Sequence, residues 1–80
     1  MNQVVIQLWI KRRVAELIEV PESDIQVDDQ FGRLGLDSLS ATTLAHDLAE
    51  WLGIKPDVTW VFDYPTIASL SAFLANAKKE

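Results

Sequence analysis

The segment LGLDSLS, residues 34–40, places an acid, Asp37, directly before a serine and flanks the pair with leucines. A hydroxyl group between apolar neighbours is poorly placed as an ordinary surface residue. Four roles are open to Ser38: catalytic nucleophile, helix cap, phosphorylation site or point of covalent attachment. The rest of the chain has to decide among them.

Catalysis by Ser38 would require a general base within hydrogen-bond reach. The single histidine, His46, lies eight residues further along the same predicted helix, which is about 12 Å at 1.5 Å per residue. The nucleophile-elbow pattern G-x-S-x-G also fails, because Leu36 and Ser40 stand where it needs glycine. We therefore predict no catalytic residue and interpret His46 as a solvated surface residue.

A metal site is not predicted either. Asp24, Asp28 and Asp29 resemble part of a calcium-binding loop, but Asp29 stands where that loop needs glycine and Gly35 where it needs glutamate. The chain has no cysteine, which excludes disulfides and thiolate metal sites.

The 80 residues are enough for one domain near the lower size limit for a single hydrophobic core. Hydrophobic residues make up 49% of the chain, as in a globular protein. The N-terminal segment has no signal-peptide pattern, and no apolar run approaches the roughly 20 residues that span a bilayer. We expect a cytoplasmic, monomeric domain that does not enter the membrane.

The net charge of −5 is unevenly distributed. Residues 11–13 form one basic patch and Lys78 and Lys79 another, whereas residues 16–63 contain eleven acids and only two cations, a local charge of −9. That acidity argues against nucleic acid as a partner, because binding phosphates requires cations. It suits either attraction to basic protein surfaces or simple solubility.

Hydrophobic periodicity predicts three long helices and no strand pairs. Asp37 and Thr66 are the expected N-caps of the second and third. The loop between the first two helices can persist only if its apolar residues hold it against the core. We therefore predict an all-α fold, a small four-helix bundle in a single domain over 1–80. Its elements are a helix over 3–19, an anchored loop over 21–37, a helix over 38–52, a one-turn helix over 59–63 and a final helix after Thr66.

At 100° per residue, the second long helix has a buried stripe and an opposite, outer face. The predicted stripe consists of Ala41, Leu44, Ala45, Leu48 and Leu52. The outer face holds Leu39, Thr43, His46 and Glu50, with Asp47 beside them. Because Leu39 is predicted to be exposed next to Ser38, we interpret it as an interaction residue.

Two motifs at a characteristic spacing point to one protein family. FGRLGLDSLS at 31–40 is followed about two dozen residues later by VFDYPT at 61–66. Together they strongly resemble the acyl carrier domains of polyketide synthases, and the resemblance extends from about residue 4 to residue 75. The match to G-L-D-S-L alone would be weak evidence for this family. Two motifs at this spacing, together with the predicted order of helices, are specific evidence for it.

The resemblance implies that Ser38 carries 4′-phosphopantetheine, transferred from coenzyme A by a phosphopantetheinyl transferase. The terminal thiol of that arm would hold acyl groups as thioesters, so the domain would not itself be an enzyme. Other implied partners are a ketosynthase, an acyltransferase or acyl-activating ligase, and further synthase domains. The predicted partner-binding residues are Asp37, Leu39, Thr43, His46, Asp47, Glu50 and Trp60.

Two other functions stay open at this point. One is a carrier of aminoacyl or aryl groups in a peptide or hybrid synthetase, although Asp37 and the FDYPT motif favour the polyketide type. The other is a small helical adaptor whose Ser38 is unmodified or phosphorylated. Trp60, which replaces a more usual aliphatic residue, has two interpretations: a partly exposed contact, with Val61 and Phe62 in the core, or a core residue itself.

Overall fold

A computed structural model describes residues 2–77 of the chain, so the predicted basic pair Lys78 and Lys79 lies outside the described residues. The fold is a helical bundle with three long helices, as predicted, and two one-turn α-helices instead of one. Residues 2–77 contain no β-strand, and Gln30 and Thr66 form an isolated bridge. The helices are α1 (Gln3–Ile18), α2 (Phe31–Leu34), α3 (Ser38–Leu52), α4 (Trp60–Asp63) and α5 (Ile67–Ala77), with a 3₁₀ turn at Glu22–Asp24.

Helix α1 begins at an asparagine cap and packs mainly against α5. The Asn2 side chain accepts a hydrogen bond from the Val5 amide at 3.0 Å, which satisfies one of the unpaired N–H groups of the first turn. Its core stripe comprises Ile6, Ile10, Val14 and Ala15, all buried. The helix ends one residue earlier than predicted, because Glu19 adopts the left-handed conformation (φ 59°) just before Val20-Pro21.

The segment between α1 and α3 is anchored to the core as predicted. Ile25 and Phe31 are buried, and the Phe31 amide donates to the Pro65 carbonyl at 2.8 Å. The prediction of an irregular loop was incomplete, since this segment also contains the 3₁₀ turn and α2. Helix α2 forms because the Gln30 carbonyl accepts from the amides of Arg33 and Leu34, pairings that composition and periodicity do not reveal.

Helix α3 has the boundaries and the buried stripe that its sequence predicts. The Asp37 carboxylate accepts from the Ser40 amide at 2.8 Å, and Gly53 ends the helix in the left-handed conformation (φ 71°) that glycine tolerates. All five predicted stripe residues are buried, and Ala49 joins them. The axis of α3 is therefore held firmly, and its first residue, Ser38, has a defined position.

Helix α4 corrects one prediction. Trp60 is only 5% exposed and belongs to the core, whereas Phe62 is 71% exposed. The interpretation of Trp60 as a surface contact with Phe62 inside is therefore wrong, and Trp60 leaves the set of predicted partner-binding residues. Val61 is buried as expected. On a single helical turn two residues 200° apart face opposite ways, so burying the indole turns Phe62 outward.

Helix α5 completes the bundle. The Thr66 hydroxyl accepts from the Ser69 amide at 3.0 Å, and the Ser69 hydroxyl accepts from the Thr66 amide at 3.1 Å, so the predicted cap is confirmed and is reciprocal. Ile67, Leu70 and Leu74 are buried. No helix within residues 2–77 is long and apolar enough to cross a membrane.

Candidate functional site

Ser38 is the exposed first residue of α3. The chain reaches it through Gly35, whose positive φ of 94° reverses the backbone after α2. Asp37 then caps α3, and the Ser40 amide that donates to its carboxylate lowers the pKa of Asp37. Because Asp37 supplies the cap, the Ser38 hydroxyl is not needed for that role.

A mostly apolar groove adjoins the Ser38 hydroxyl. It encloses about 440 Å³ between α2, the start of α3 and α4. Its walls include Phe31, Leu36, Val61, Phe62 and Pro65. The exposed ring of Phe62 gives this groove an aromatic edge that the sequence interpretation placed in the core. The sequence showed that neighbouring residues of a short helix cannot all face inward. It did not show which of them faces outward.

The outer face of α3 is arranged largely as predicted. Leu39 is 76% exposed, and His46 and Glu50 are exposed further along the helix. Thr43 lies on the same face, half-buried, where its hydroxyl donates to the Leu39 carbonyl at 3.0 Å. This face therefore presents an exposed leucine, a histidine and a carboxylate along the helix that begins at Ser38. Its use in partner binding stays a prediction.

Asp47 differs from the other predicted residues of that face because its charge is paired within the chain. Arg13 of α1 donates two hydrogen bonds to Asp47 Oδ2, from Nε at 2.9 Å and from Nη2 at 2.7 Å. The hydrogen bond to Asp47 raises the pKa of Arg13. Both side chains are about two-thirds buried, so Asp47 holds α1 against α3 and is not an exposed carboxylate for a partner.

The geometry supports attachment chemistry at Ser38. Helix α3 is continuous through His46, which keeps the imidazole about 12 Å along the axis from the start of the helix. Within residues 2–77, no cluster of three or more His, Cys, Asp or Glu side chains has the arrangement of a metal site. An exposed hydroxyl at the start of a helix fits a phosphodiester, because backbone N–H groups and the helix dipole favour a phosphate there. The adjoining groove would offer an apolar surface to a group attached through that phosphate.

Comparison with known proteins bears on this site. The family described as "Phosphopantetheine attachment site" matches residues 8–74. The chain is 35% identical over 71 residues to one of the phenolphthiocerol/phthiocerol polyketide synthase proteins of Mycobacterium tuberculosis, covering 89% of this chain but only 4% of that protein. It is 34% identical over 70 residues to the acyl carrier protein TtuC of Teredinibacter turnerae, covering 88% of this chain and 80% of that protein.

A solved structure resembles the fold closely. The free-standing peptidyl carrier protein from an uncharacterized secondary metabolic pathway of Acinetobacter baumannii superposes with a TM-score of 0.92 at 29% identity, and the match covers 95% of each chain. The same arrangement of helices therefore occurs in a discrete carrier of similar length.

Proposed function

The chain belongs to the phosphopantetheine attachment-site family, as a non-catalytic carrier domain of the polyketide synthase type, and from that premise we propose that Ser38 is its point of attachment. Members of this family carry the prosthetic group covalently. The observation that carries the assignment is the exposure of Ser38 at the first position of α3, beside an apolar groove. When bound, the arm supplies a thiol that holds an acyl group as a thioester.

The chain's own residues would position the arm and leave the chemistry to partners. Asp37 holds the first turn of α3 in place through the Ser40 amide. The other backbone N–H groups of that turn and the helix dipole would favour a phosphate bound at Ser38. Phe62 and Pro65, on the groove walls, offer apolar contact to the arm. Ser40, two residues further on, is partly buried and is a poorer acceptor of the group.

Intact-mass measurement tests the attachment site. The chain is incubated with coenzyme A and a broad-range phosphopantetheinyl transferase, beside Ser38→Ala and a matched Ser40→Ala control. We expect one added phosphopantetheine on the parent chain and on Ser40→Ala, and none on Ser38→Ala. Circular dichroism should show the same melting for all three, because Asp37 and not Ser38 caps the helix. Modification of folded Ser38→Ala would contradict the assignment, and no modification of the folded parent chain would favour the adaptor hypothesis.

We infer further that the cargo is an acyl group of polyketide or hybrid biosynthesis. The acyl carrier protein and the polyketide synthase among the relatives support this type, as does Asp37 before the serine. The alternative is an aminoacyl or aryl carrier, which the likeness to a peptidyl carrier protein favours. Loading by a malonyl-type acyltransferase, compared with loading by an adenylating aminoacyl ligase, distinguishes the two, and preferential aminoacyl loading would support the alternative.

The proposed partner surface surrounds Ser38. It consists of Leu39, Thr43, His46 and Glu50 on α3, with Asp37 at the start of the helix and Phe62 in place of Trp60. We propose that a phosphopantetheinyl transferase, a ketosynthase, and an acyltransferase or acyl-activating ligase dock there, supported by the exposure of the leucine and phenylalanine. The proposal includes a monomeric domain in the cytoplasm, which size-exclusion chromatography and cell fractionation would test.

A further inference from the structure

The start of α5 is bonded to a distant segment of the chain. The first N–H groups of a helix have no partner within that helix. Thr66 and Ser69 each satisfy one such group of the other. The Ala68 amide, between them, instead donates to the Val27 carbonyl at 3.0 Å. Because Val27 lies between α1 and α2, the beginning of α5 is also a fixed point for that segment.

A second backbone hydrogen bond joins the same two segments. The Pro65 carbonyl, directly before the cap residue Thr66, accepts from the Phe31 amide at 2.8 Å. This bond lies at the isolated antiparallel bridge between Gln30 and Thr66. Together with the bond from Ala68 to Val27, it ties residues 27–31 to residues 65–68. We call these two hydrogen bonds the loop clamp.

The loop clamp extends to the groove beside Ser38. Phe31 and Pro65, which one of its bonds joins, both line that groove. The Phe31 side chain is buried, and the Phe31 carbonyl accepts from the Leu36 amide at 3.3 Å. Leu36 lines the groove as well and stands two residues before Ser38. A series of backbone hydrogen bonds therefore leads from the start of α5 to the residues that precede Ser38.

The side chains of Thr66 and Ser69 hold the backbone that forms the loop clamp. Both are half-buried. The Ser69 hydroxyl lies 3.1 Å from the Thr66 amide and 3.0 Å from both the Thr66 hydroxyl and the Thr66 carbonyl. These contacts fix residues 66–69, which include the Ala68 amide and directly follow the Pro65 carbonyl. Without the Thr66 hydroxyl, the Ser69 amide loses its partner, and we expect this first turn to fray.

We propose that Thr66 and Ser69 are positioning residues for the prosthetic arm at Ser38. Neither side chain lines the groove. They act through the loop clamp, which sets how far the Phe31 wall of the groove stands from Ser38. The inference rests on the proposed attachment at Ser38 and on contact between the arm and the groove. A groove of fixed width would hold the arm in few positions, which lowers the conformational entropy that is lost when a partner enzyme receives it.

Hydrogen exchange of the unmodified chain tests the loop clamp independently of attachment. Thr66→Val removes the hydroxyl but keeps the branched shape, and Thr66→Ser keeps the hydroxyl. Asn2→Ala is the matched control, because Asn2 caps α1 through the same kind of hydrogen bond. Exchange rates are divided by that of the amide of Leu48, a buried residue of α3, so that a change in global stability cancels.

We expect the Phe31 and Ala68 amides to exchange about fivefold faster in Thr66→Val, which is the population change that corresponds to loss of a typical cap. Ser69→Ala is a second variant with the same expected direction. Thr66→Ser should exchange as the parent chain does. Asn2→Ala should leave both normalised rates unchanged, because it removes a cap from a different helix.

The modified chain tests the effect on the arm. Intact mass first establishes that each variant carries one phosphopantetheine. The NMR signals of the groove residues Phe31, Val61 and Phe62 are then compared before and after attachment. We expect attachment to shift them in the parent chain, in Thr66→Ser and in Asn2→Ala. The shifts should be lost or reduced in Thr66→Val and Ser69→Ala.

The outcomes that contradict the proposal are distinct from one another. Unchanged exchange of Phe31 and Ala68 in folded Thr66→Val and Ser69→Ala would show that the cap does not hold the loop clamp. Faster exchange with full groove shifts would refute the positioning role and leave the attachment at Ser38 intact. No groove shifts in the modified parent chain would refute arm contact and this inference together. No added mass on the parent chain would overturn the proposed attachment, on which the inference rests.

Discussion

Replacing Trp60 and Phe62 separately with leucine tests the most informative packing choice in the molecule. Truncating a buried tryptophan to alanine costs about 3–5 kcal/mol. Leucine refills part of the space, so for Trp60, which is 5% exposed, we expect a loss of about 2 kcal/mol. Phe62 is 71% exposed, so less than a third of its ring can lose contacts, and we expect a loss below about 0.5 kcal/mol.

The expected losses of stability in the two variants differ enough to be distinguished by experiment. A domain of this length has a total stability of about 4–12 kcal/mol, and 2 kcal/mol corresponds to a melting temperature lower by about 8–16 °C. Urea unfolding followed by far-ultraviolet circular dichroism measures both variants, and an unchanged denaturant slope would mean that only stability has changed. The Phe62 variant should melt within about 4 °C of the parent chain.

The effects of the two substitutions on turnover should have the opposite order to their effects on stability. Below its melting temperature, Trp60→Leu should accept phosphopantetheine at nearly the parent rate, because its ring is inside the core. Phe62→Leu should slow transferase or synthase turnover several-fold, because its ring lines the groove beside Ser38. Equal stability losses in the two variants, or a Trp60→Leu variant as stable as the parent chain, would refute this account of α4.

Three further predictions concern the helix ends and the outer face. Glu19→Gly should raise stability by about 0.5 kcal/mol in a thermal melt. Glycine removes about 1–2 kcal/mol of strain from the left-handed conformation of residue 19, but its greater conformational entropy in the unfolded chain offsets part of that gain. No gain in stability over Glu19→Ala would contradict this prediction. The pKa of Asp37 is lowered in the folded state, so its charge stabilises the fold fully above the unfolded pKa of about 3.9, and this stabilisation is lost progressively as pH falls from there through the lower folded pKa. A melting difference from Asp37→Asn should therefore vanish in acid, and a pH-independent difference would refute it. Glu50→Lys should slow association with the transferase at low salt and approach parent rates at high salt, whereas unchanged kinetics would exclude Glu50 from the docking face.

Much of the α3 region follows from the order of residues alone. The buried stripe, the Asp37 cap and the Gly53 terminus are consequences of helical periodicity, side-chain hydrogen bonding to the next turn and the tolerance of glycine for positive φ. Each of these depends on residues within about four positions of one another. The two family motifs and the elimination of His46 as a base likewise needed only spacing along the chain.

The tertiary structure decided which side chains of the short segments face the core. At 100° per residue, α4 had to turn one of its large residues outward, and only its packing in the assembled core selects Trp60 for burial and Phe62 for exposure. The exposed aromatic edge of the groove follows from that choice. Sequence spacing shows that one large residue of α4 must face outward, but it contains no information about the volume that the core offers to each side chain.

Contacts between distant residues were also beyond the sequence. Arg13 and Asp47 are 34 positions apart, and Trp9 and Trp51 meet across α1 and α3. Before the helices pack, nothing distinguishes Asp47 from the exposed Glu50 on the same face, or joins the two indoles into one wall. Periodicity orients each helix toward the core, but the packing of α1 on α3 chooses which charges are paired and which apolar side chains stay exposed, because those depend on where two separate surfaces meet.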